Sequence, residues 1–261
     1  MRLIVLGCSG SGPGPESPAS GYLVEAGGTR IVLDLGNGTL GALQRHLDPW
    51  SLDGVVFSHL HADHCSDFAS LVVHRRYHPR PPFDPGVARL PVHAPAGAHD
   101  RFARAYAPTA AELAETDLTD VFTFHDLAAG GTCRIGTGAD QIQVRAFDVV
   151  HPCPAFALRV EHGGRVLTYS GDTGACPGLV EAARDTDLLL CEASWPHGDH
   201  NPTGVHLSGR EAGEHATAAG ARRLVVTHVP AWYDRDELAT EAKAAFDGPV
   251  EVATPDAVFE V

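Results

Sequence analysis

Five short apolar segments of this 261-residue chain are each followed, after at most two intervening residues, by a histidine or a carboxylate. The segments have the length and composition of buried strands, and they lie at 54–57, 142–150, 165–169, 188–191 and 224–226. The polar residues at their carboxyl ends are His59, His151, Asp172, Glu192 and His228. Because strand ends in α/β proteins converge on one edge of a sheet, we expect these side chains to meet. The pattern therefore constrains both the fold and the position of its chemistry.

Two glycine pairs predict β-hairpins at the start of each half of the chain. Gly27-Gly28 joins the apolar runs 22–26 and 30–34, and Gly163-Gly164 joins 155–161 and 165–169. Strands that alternate with helical segments follow each hairpin. This order predicts one α/β domain over residues 1–261, with two stacked sheets and outer helices.

Two of the predicted helices have clear boundary signals in the sequence. Asp67 is the expected N-cap of a helix that runs to Tyr77. Ser208 begins another helix, and Glu211 completes its capping box. A last helix is expected over residues 235–246, and a shorter one over 39–47.

The charge balance argues against some partners. There are 19 Lys and Arg against 33 Asp and Glu, a formal charge of −14, whereas proteins that grip nucleic acid usually carry a basic stripe. We therefore expect no long nucleic-acid partner.

No run of 18 apolar residues predicts a membrane helix, and the first apolar run is too short for a signal peptide. With six cysteines and no C-x-x-C pair, the expected location is the cytoplasm and the expected state is reduced, buried thiols.

The densest group of metal-ligating residues follows the first of the five segments. His59, His61, Asp63 and His64 stand at positions i, i+2, i+4 and i+5, a spacing that cannot face one way on a helix. On an irregular loop the four side chains can serve two metal ions about 3.5–4 Å apart. Imidazole and carboxylate suit Zn²⁺, with bonds of about 2.0–2.2 Å.

Three further residues complete two metal shells. We assign His59, His61 and His151 to one ion, and Asp63, His64 and His228 to the other. Asp172 bridges both ions, as a carboxylate with two oxygens can. Two Zn²⁺ ions are expected, although Mn²⁺ or Fe would suit the same ligands.

The pattern His-x-His-x-Asp-His, followed by His151, Asp172 and His228, resembles the metallo-β-lactamase fold. That resemblance implies a four-layer αβ/βα sandwich of two mixed β-sheets with outer helices. The commonest true β-lactamases have a cysteine where this chain has Asp172. The resemblance therefore points to the hydrolytic branches, which include ribonuclease Z, glyoxalase II and phosphodiesterases.

Glu192-Ala193-Ser194 and His206-Leu207-Ser208 resemble the Glu and His pair of ribonuclease Z-like enzymes. The resemblance implies that His206 protonates the leaving oxygen and that Glu192 orients it, a role for which imidazole is well tuned. Asp63 is also expected to orient the attacking hydroxide. The alternatives are an exposed residue at a helix start for His206 and a surface acid for Glu192.

Two regions allow two alternative roles each. Arg75, Arg76 and His78 are candidate phosphate contacts, or else a basic helix end that complements the helix dipole. The loop 195–204 is either part of a lid or an ordinary surface loop.

The sequence is similar over several segments to actinobacterial ribonuclease Z-like proteins described as atypical class II cyclic-nucleotide phosphodiesterases. These segments are Leu6–Ser11, Ser17–Tyr22, His59–Asp67, Arg75–Pro79, Cys191–Trp195 and Phe246–Pro249. The tRNA-processing relatives carry a long arm between the motifs that match His151 and Asp172, whereas only 20 residues separate these positions here. The resemblance implies a small phosphodiester substrate such as cyclic AMP.

Other functions remain open at this point. A tRNA 3′ endonuclease or a thioester hydrolase would use the same residues, and a non-catalytic metal-binding protein would need only the ligands. Since related folds often form dimers, we expect a homodimer.

Overall fold

The computed structural model describes residues 1–261, and its fourteen strands form two seven-stranded sheets. In the first sheet the order is β14-β1-β2-β3-β4-β5-β6. Its strands are β1 (Arg2–Gly7), β2 (Gly21–Ala26), β3 (Thr29–Leu35), β4 (Gly54–Val56), β5 (Leu90–Pro95), β6 (Phe122–Leu127) and β14 (Val258–Glu260). Strands β3 to β6 are parallel, so their carboxyl ends share one edge.

The second sheet has the order β13-β12-β11-β10-β9-β8-β7. Its strands are β7 (Thr132–Ile135), β8 (Ile142–Asp148), β9 (Phe156–His162), β10 (Arg165–Tyr169), β11 (Leu188–Glu192), β12 (Leu224–Thr227) and β13 (Val250–Val252). Strands β7 to β10 pair antiparallel, and β10 to β13 pair parallel. Both sheets are thus mixed.

The structure contains eight α-helices. They are α1 (Thr39–Leu43), α2 (Ala62–Cys65), α3 (Phe68–Tyr77), α4 (Ala98–Tyr106), α5 (Ala110–Glu115), α6 (Pro177–Ala182), α7 (Gly209–Ala219) and α8 (Arg235–Ala245). None of these helices is long and apolar enough to span a bilayer.

Alternating side chains on the strands build three apolar layers. In β1, Leu3 and Val5 enter the core between the two sheets, while Ile4 and Leu6 pack under the helices of the first sheet. In the same way Leu190 of β11 faces the central core and Leu189 faces the helices of the second sheet. Three cores between four layers give the αβ/βα sandwich that the sequence predicts.

The local signals of the sequence differ in how well they predicted structure. Both hairpins form at the expected glycine pairs, and Ser208 with Glu211 makes the expected capping box. Asp67 stands at the predicted N-cap position of α3, but its carboxylate makes no cap bond there. It accepts instead from the backbone N–H of Leu40 at 2.9 Å, which fastens α1 to this loop.

The helix predicted over 39–47 is shorter than expected. Regular α-helix ends at Leu43, and the residues up to Leu47 continue only as turns. Residues 44–46 are exposed and Leu47 is only partly buried. Little packing therefore supports a longer helix.

Candidate metal centre and active site

The loop after β4 carries four of the expected ligands. His59 is fully buried, and His61 is the extended residue that precedes the single helical turn α2. This turn aims Asp63 and His64 inward, whereas the sequence predicted an irregular loop throughout. The backbone N–H of His64 donates to the carbonyl of His61 at 3.1 Å, which fixes the turn.

The other three expected ligands come from the second sheet. His151 lies beyond the end of β8, Asp172 follows β10, and His228 follows β12. His228 has a left-handed backbone, with φ of 56°. Gly10 permits this conformation, because a Cβ at position 10 would lie 2.3 Å from the carbonyl oxygen of His228. The glycine-rich loop after β1 is therefore packed against a ligand-bearing turn.

The seven side chains meet where the two sheets join. Their ligand atoms form two groups in which all atoms lie within 4.8 Å of one another. The first group contains His59, His61 and His151, and the second contains Asp63, His64, Asp172 and His228. Asp172 reaches both groups, since Oδ2 lies 3.6 Å from Nε2 of His59 and Oδ1 lies 3.1 Å from Nε2 of His64.

Cys153 joins the first group, which the sequence did not indicate. It was expected to be one of the buried core thiols, but it is only partly buried. Burial raises the pKa of its thiol above the ordinary value. The signal available in the sequence was its position two residues after His151.

The cluster has the chemistry of a metal site. Five of its buried polar atoms have no hydrogen-bond partner: Nε2 of His59, Nε2 of His64, Oδ1 of Asp172, and both ring nitrogens of His228. Such atoms are costly unless something binds them. Two nitrogens on one tetrahedral Zn²⁺ lie about 3.3 Å apart for bonds of about 2.0–2.1 Å. Nδ1 of His61 and Nε2 of His151 lie 3.0 Å apart, so the residues fit a divalent cation.

The protonation states also suit cation binding. Burial lowers the pKa of His59 well below its ordinary value, so that its imidazole is neutral. Burial would raise the pKa of Asp172, but His228, His64 and His59 together hold it well below its usual range. The site thus offers a neutral imidazole beside an ionised carboxylate.

Asp34 is a functional residue that the sequence analysis missed. It lies at the end of β3, is fully buried, and has a left-handed backbone with φ of 57°. Its Oδ2 lies 2.7 Å from Nδ1 of His64 and accepts a hydrogen bond from the hydroxyl of Tyr169 at 2.8 Å. Its Oδ1 accepts from the N–H of Ser58 at 2.7 Å. The signal was a lone carboxylate in the apolar run Ile31–Leu35.

The Asp34 carboxylate orients the candidate ligand His64 through the ring nitrogen that faces away from the cluster. When Nδ1 of His64 donates to Asp34, Nε2 is left with its lone pair toward the cluster. Burial alone would lower the pKa of His64, but the carboxylates of Asp172 and Asp34 raise it well above its ordinary value. A divalent cation at this position competes with that proton.

Glu192 and His206 form a pair beside the cluster. The structure places Nδ1 of His206 3.0 Å from Oε1 of Glu192 and 3.9 Å from Oδ2 of Asp172. Glu192 is fully buried, and it also accepts from the N–H of Thr173 at 2.7 Å and from the hydroxyl of Ser194 at 2.8 Å. These contacts fix the carboxylate and, through it, the imidazole.

Three carboxylates counteract the effect of burial on His206. Burial would lower the pKa of its imidazole, but Glu192 first, and then Asp172 and Asp63, raise it to about 9. The ring is therefore protonated at neutral pH. Since Nδ1 faces Glu192, Nε2 is the nitrogen free to donate a proton to a bound molecule.

The structure does not bring Arg75, Arg76 and His78 to this cluster. Arg76 pairs with Asp120 at 2.8 Å, and the ring of His78 packs edge-on against Trp50. Arg75 is buried over the ring of Trp50. The three residues lie at the end of α3, about 15 Å along the helix from its start near the ligand loop, and the geometry gives no support to a substrate contact there.

The loop 195–204 borders the active-site pair. Together with Ala175, His206 and Glu211 it encloses a cavity of about 320 Å³. The indole ring of Trp195 packs edge-on against His206, with ring centroids 5.2 Å apart. The loop therefore forms one wall of the space next to the imidazole.

Residues 29–229 match the family described as "Beta-lactamase superfamily domain". The chain belongs to this superfamily. The match spans the whole interval from β3 to the turn of His228, and thus all seven candidate ligands.

Curated relatives place the chain in the ribonuclease Z-like branch of this superfamily. An uncharacterized protein of Mycobacterium tuberculosis, Rv1339, is 47% identical over 263 residues, covering 100% of this chain and 92% of the relative. The ribonuclease Z of Myxococcus xanthus is 31% identical over 299 residues, covering 97% of this chain and 95% of the relative.

A solved structure of the same superfamily has the same architecture. The metallo-β-lactamase fold protein YhfI of Bacillus subtilis superimposes with a TM-score of 0.83 and 25% identity, covering 100% of this chain and 98% of YhfI. The corresponding curated relative is described as a probable metallo-hydrolase. The chain thus belongs to a metallo-hydrolase family with this fold.

Proposed function

We propose that this chain is a phosphodiesterase that hydrolyses a small phosphodiester of the cyclic-nucleotide class with the aid of two Zn²⁺ ions. The observation that carries the proposal is the Glu192–His206 pair, which places a protonated imidazole 3.9 Å from the carboxylate of Asp172. This carboxylate lies between the two groups of candidate ligands.

The residues that would hold the ions are the two groups around Asp172. His59, His61 and His151 would bind one ion, and Asp63, His64 and His228 the other, with Asp172 shared between them. Bound there, two divalent cations supply charge neutralisation for a phosphoryl group and lower the pKa of water. Asp63, which is half-buried at the rim, is placed to orient a water molecule as a hydrogen-bond acceptor.

His206 supplies the proton that an alkoxide leaving group needs. Its Nδ1–H donates to Glu192, so the proton on Nε2 can pass to the departing ribose oxygen while the P–O bond breaks. A thiolate, with a pKa near 8.5, leaves without this help. The presence of a positioned proton donor, His206, therefore favours a phosphodiester substrate over a thioester.

Size and charge support a small substrate. The hairpin β9–β10 occupies the interval between His151 and Asp172, where the tRNA-processing relatives carry a long arm. The chain has a net charge of −14, which repels a long polyanion more than a singly charged phosphodiester. The proposal that this substrate is a cyclic nucleotide rests on the resemblance to actinobacterial cyclic-nucleotide phosphodiesterases.

A direct comparison of substrates tests the proposal. Zn²⁺-loaded protein is assayed in parallel with cyclic AMP, bis(p-nitrophenyl) phosphate, precursor tRNA and a glutathione thioester. We expect turnover of the first two. Cleavage of precursor tRNA alone would establish a ribonuclease Z-like endonuclease instead, and turnover of the thioester alone would refute phosphodiesterase activity.

Two histidine variants separate the proposed acid from a general loss of folding. His206→Asn should lower kcat for cyclic AMP by about 10²–10⁴-fold with both metals retained. His162→Asn serves as the matched control, because His162 is a partly buried residue at the end of β9, at the hairpin turn. Unchanged turnover in His206→Asn would remove its role as proton donor.

A further inference from the structure

A second cavity lies at the amino ends of β4 and β5, away from the carboxyl ends where the metal ligands are. It has a volume of about 300 Å³, and its walls are residues 50–53, 88–91, Arg75 and Phe83. None of the seven candidate ligands lines it. This cavity is therefore separate from the active site.

Arg75 contributes a buried positive charge to this cavity. The residue is only 2% exposed, and one terminal nitrogen donates to the carbonyl of Ala88 at 2.8 Å. Its Nε has no partner, and it forms no ion pair, whereas the neighbouring Arg76 pairs with Asp120. Burial lowers the pKa of Arg75 to about 10, with no carboxylate acting against it. The guanidinium is still charged at neutral pH and lacks a counter-charge.

Buried guanidinium groups are ordinarily paired with a carboxylate or phosphate. Here the guanidinium carbon lies 4.9 Å from the ring centroid of Trp50 and 5.8 Å from that of Phe83. These aromatic faces attract a cation, but they accept none of the N–H bonds that a carboxylate would. The arrangement therefore leaves a planar set of donors without an anion.

A second buried donor in the lining also has no partner. Trp50 is only 5% exposed, and its buried indole N–H has no hydrogen-bond partner. Arg89 adds another positive charge to the lining, and Asp53 a negative one. Asp53 already accepts from the backbone N–H of Arg30 at 2.8 Å. The lining thus carries one excess positive charge.

We propose that this cavity binds a small organic monoanion, a carboxylate with a flat apolar body. The carboxylate accepts from Arg75 in the planar geometry that a guanidinium favours, and the body lies against Trp50 and Phe83. Half of the ten lining residues are apolar, which suits such a body. A single excess charge matches a monoanion better than a dianionic phosphate monoester.

Three probes of different charge test the site in the metal-loaded protein. They are benzoate, its neutral analogue benzamide, and inorganic phosphate. The readout is the indole N–H resonance of Trp50 in a nitrogen–proton correlation spectrum, which contains only three indole signals because the chain has three Trp. Trp195→Phe and Trp232→Phe assign the Trp50 signal by elimination.

We expect benzoate to shift the Trp50 signal saturably, with an affinity at least about tenfold higher than that of benzamide. Arg75→Gln should abolish this difference between the probes. Arg80→Gln, an exposed residue outside the lining, is the matched control and should keep it. If Arg75→Gln does not fold, the comparison of benzoate with benzamide in the unaltered protein still decides.

Three results would overturn the proposal. They are a Trp50 signal that benzoate does not move, equal affinity for benzoate and benzamide, and a shift by phosphate as large as that by benzoate. The first two would mean that Arg75 serves only to stack on the aromatic rings. The third would mean that the cavity does not select a carboxylate.

Discussion

The Asp34 carboxylate lies 2.7 Å from Nδ1 of His64, on the side of the imidazole that faces away from the other candidate ligands. The same carboxylate accepts from Ser58, which follows β4 of the first sheet, and from Tyr169 of β10 in the second sheet. One buried side chain therefore orients a ligand and also ties the two sheets together at the site.

Asp34→Asn should weaken metal binding. The amide keeps the size of the side chain but loses the charge that fixes the tautomer of His64, and loss of such a partner costs about 10–100-fold in metal affinity. Competition with a chelator, followed by elemental analysis, measures this. Asp187→Asn is the control, because Asp187 accepts hydrogen bonds in the second sheet without contacting the cluster. Equal zinc affinity in both variants would contradict the role of Asp34.

Asp172→Ala should reduce the metal content from two ions per chain. Its two oxygens lie within 3.1–3.6 Å of nitrogens on His59, His64 and His228, so its removal takes a ligand from both groups. Elemental analysis of protein purified with and without added zinc gives the stoichiometry. Two tightly held ions in Asp172→Ala would show that this carboxylate is not shared.

The rate with cyclic AMP should fall at alkaline pH as His206 loses its proton. Glu192 is the main cause that raises the pKa of His206 above the ordinary value of an imidazole, so the acid form persists to higher pH than in a free imidazole and declines above its pKa. Glu192→Gln removes the main cause of the increase, and the alkaline limb of kcat/KM should move to lower pH. The p-nitrophenyl diester is the control, because its leaving group is stable as an anion and needs no proton. An alkaline limb that Glu192→Gln leaves in place would contradict the pairing.

Gly10→Ala should lower metal content without any change in a ligand. The new Cβ would lie 2.3 Å from the backbone oxygen of His228, so the turn after β12 must move. Gly41→Ala is the matched control, since a Cβ at position 41 meets no atom within 4 Å. Zinc content and thermal unfolding should change in the first variant alone. Normal zinc content in Gly10→Ala would mean that the turn adapts.

The sequence predicted the architecture because its signals are local. Glycine pairs mark both hairpins, and apolar runs that end in polar residues mark the strands behind the site. These signals do not reveal contacts made across the sandwich. Asp34 is distant in sequence from Tyr169 and meets it only because the two sheets dock, whereas it meets His64 because β3 pairs with β4 in the first sheet.

Other features escaped prediction for a similar reason. Arg75 stands beside Arg76 and resembles part of a basic helix end, but the two side chains leave the helix in different directions. One is buried over Trp50, and the other reaches Asp120. A helix position alone does not specify which neighbouring segment covers it, so the cavity at Arg75 was not visible in the sequence.

The ligand set is divided between the sheets, with four residues after β4 of the first sheet and three after β8, β10 and β12 of the second. A cation bound to both sets holds together two layers that an unfolding chain must separate. Free zinc above its dissociation constant should therefore raise the melting temperature by mass action. Depletion of zinc would weaken the contact between the two sheets at the candidate site before any side chain in the apolar cores is disturbed.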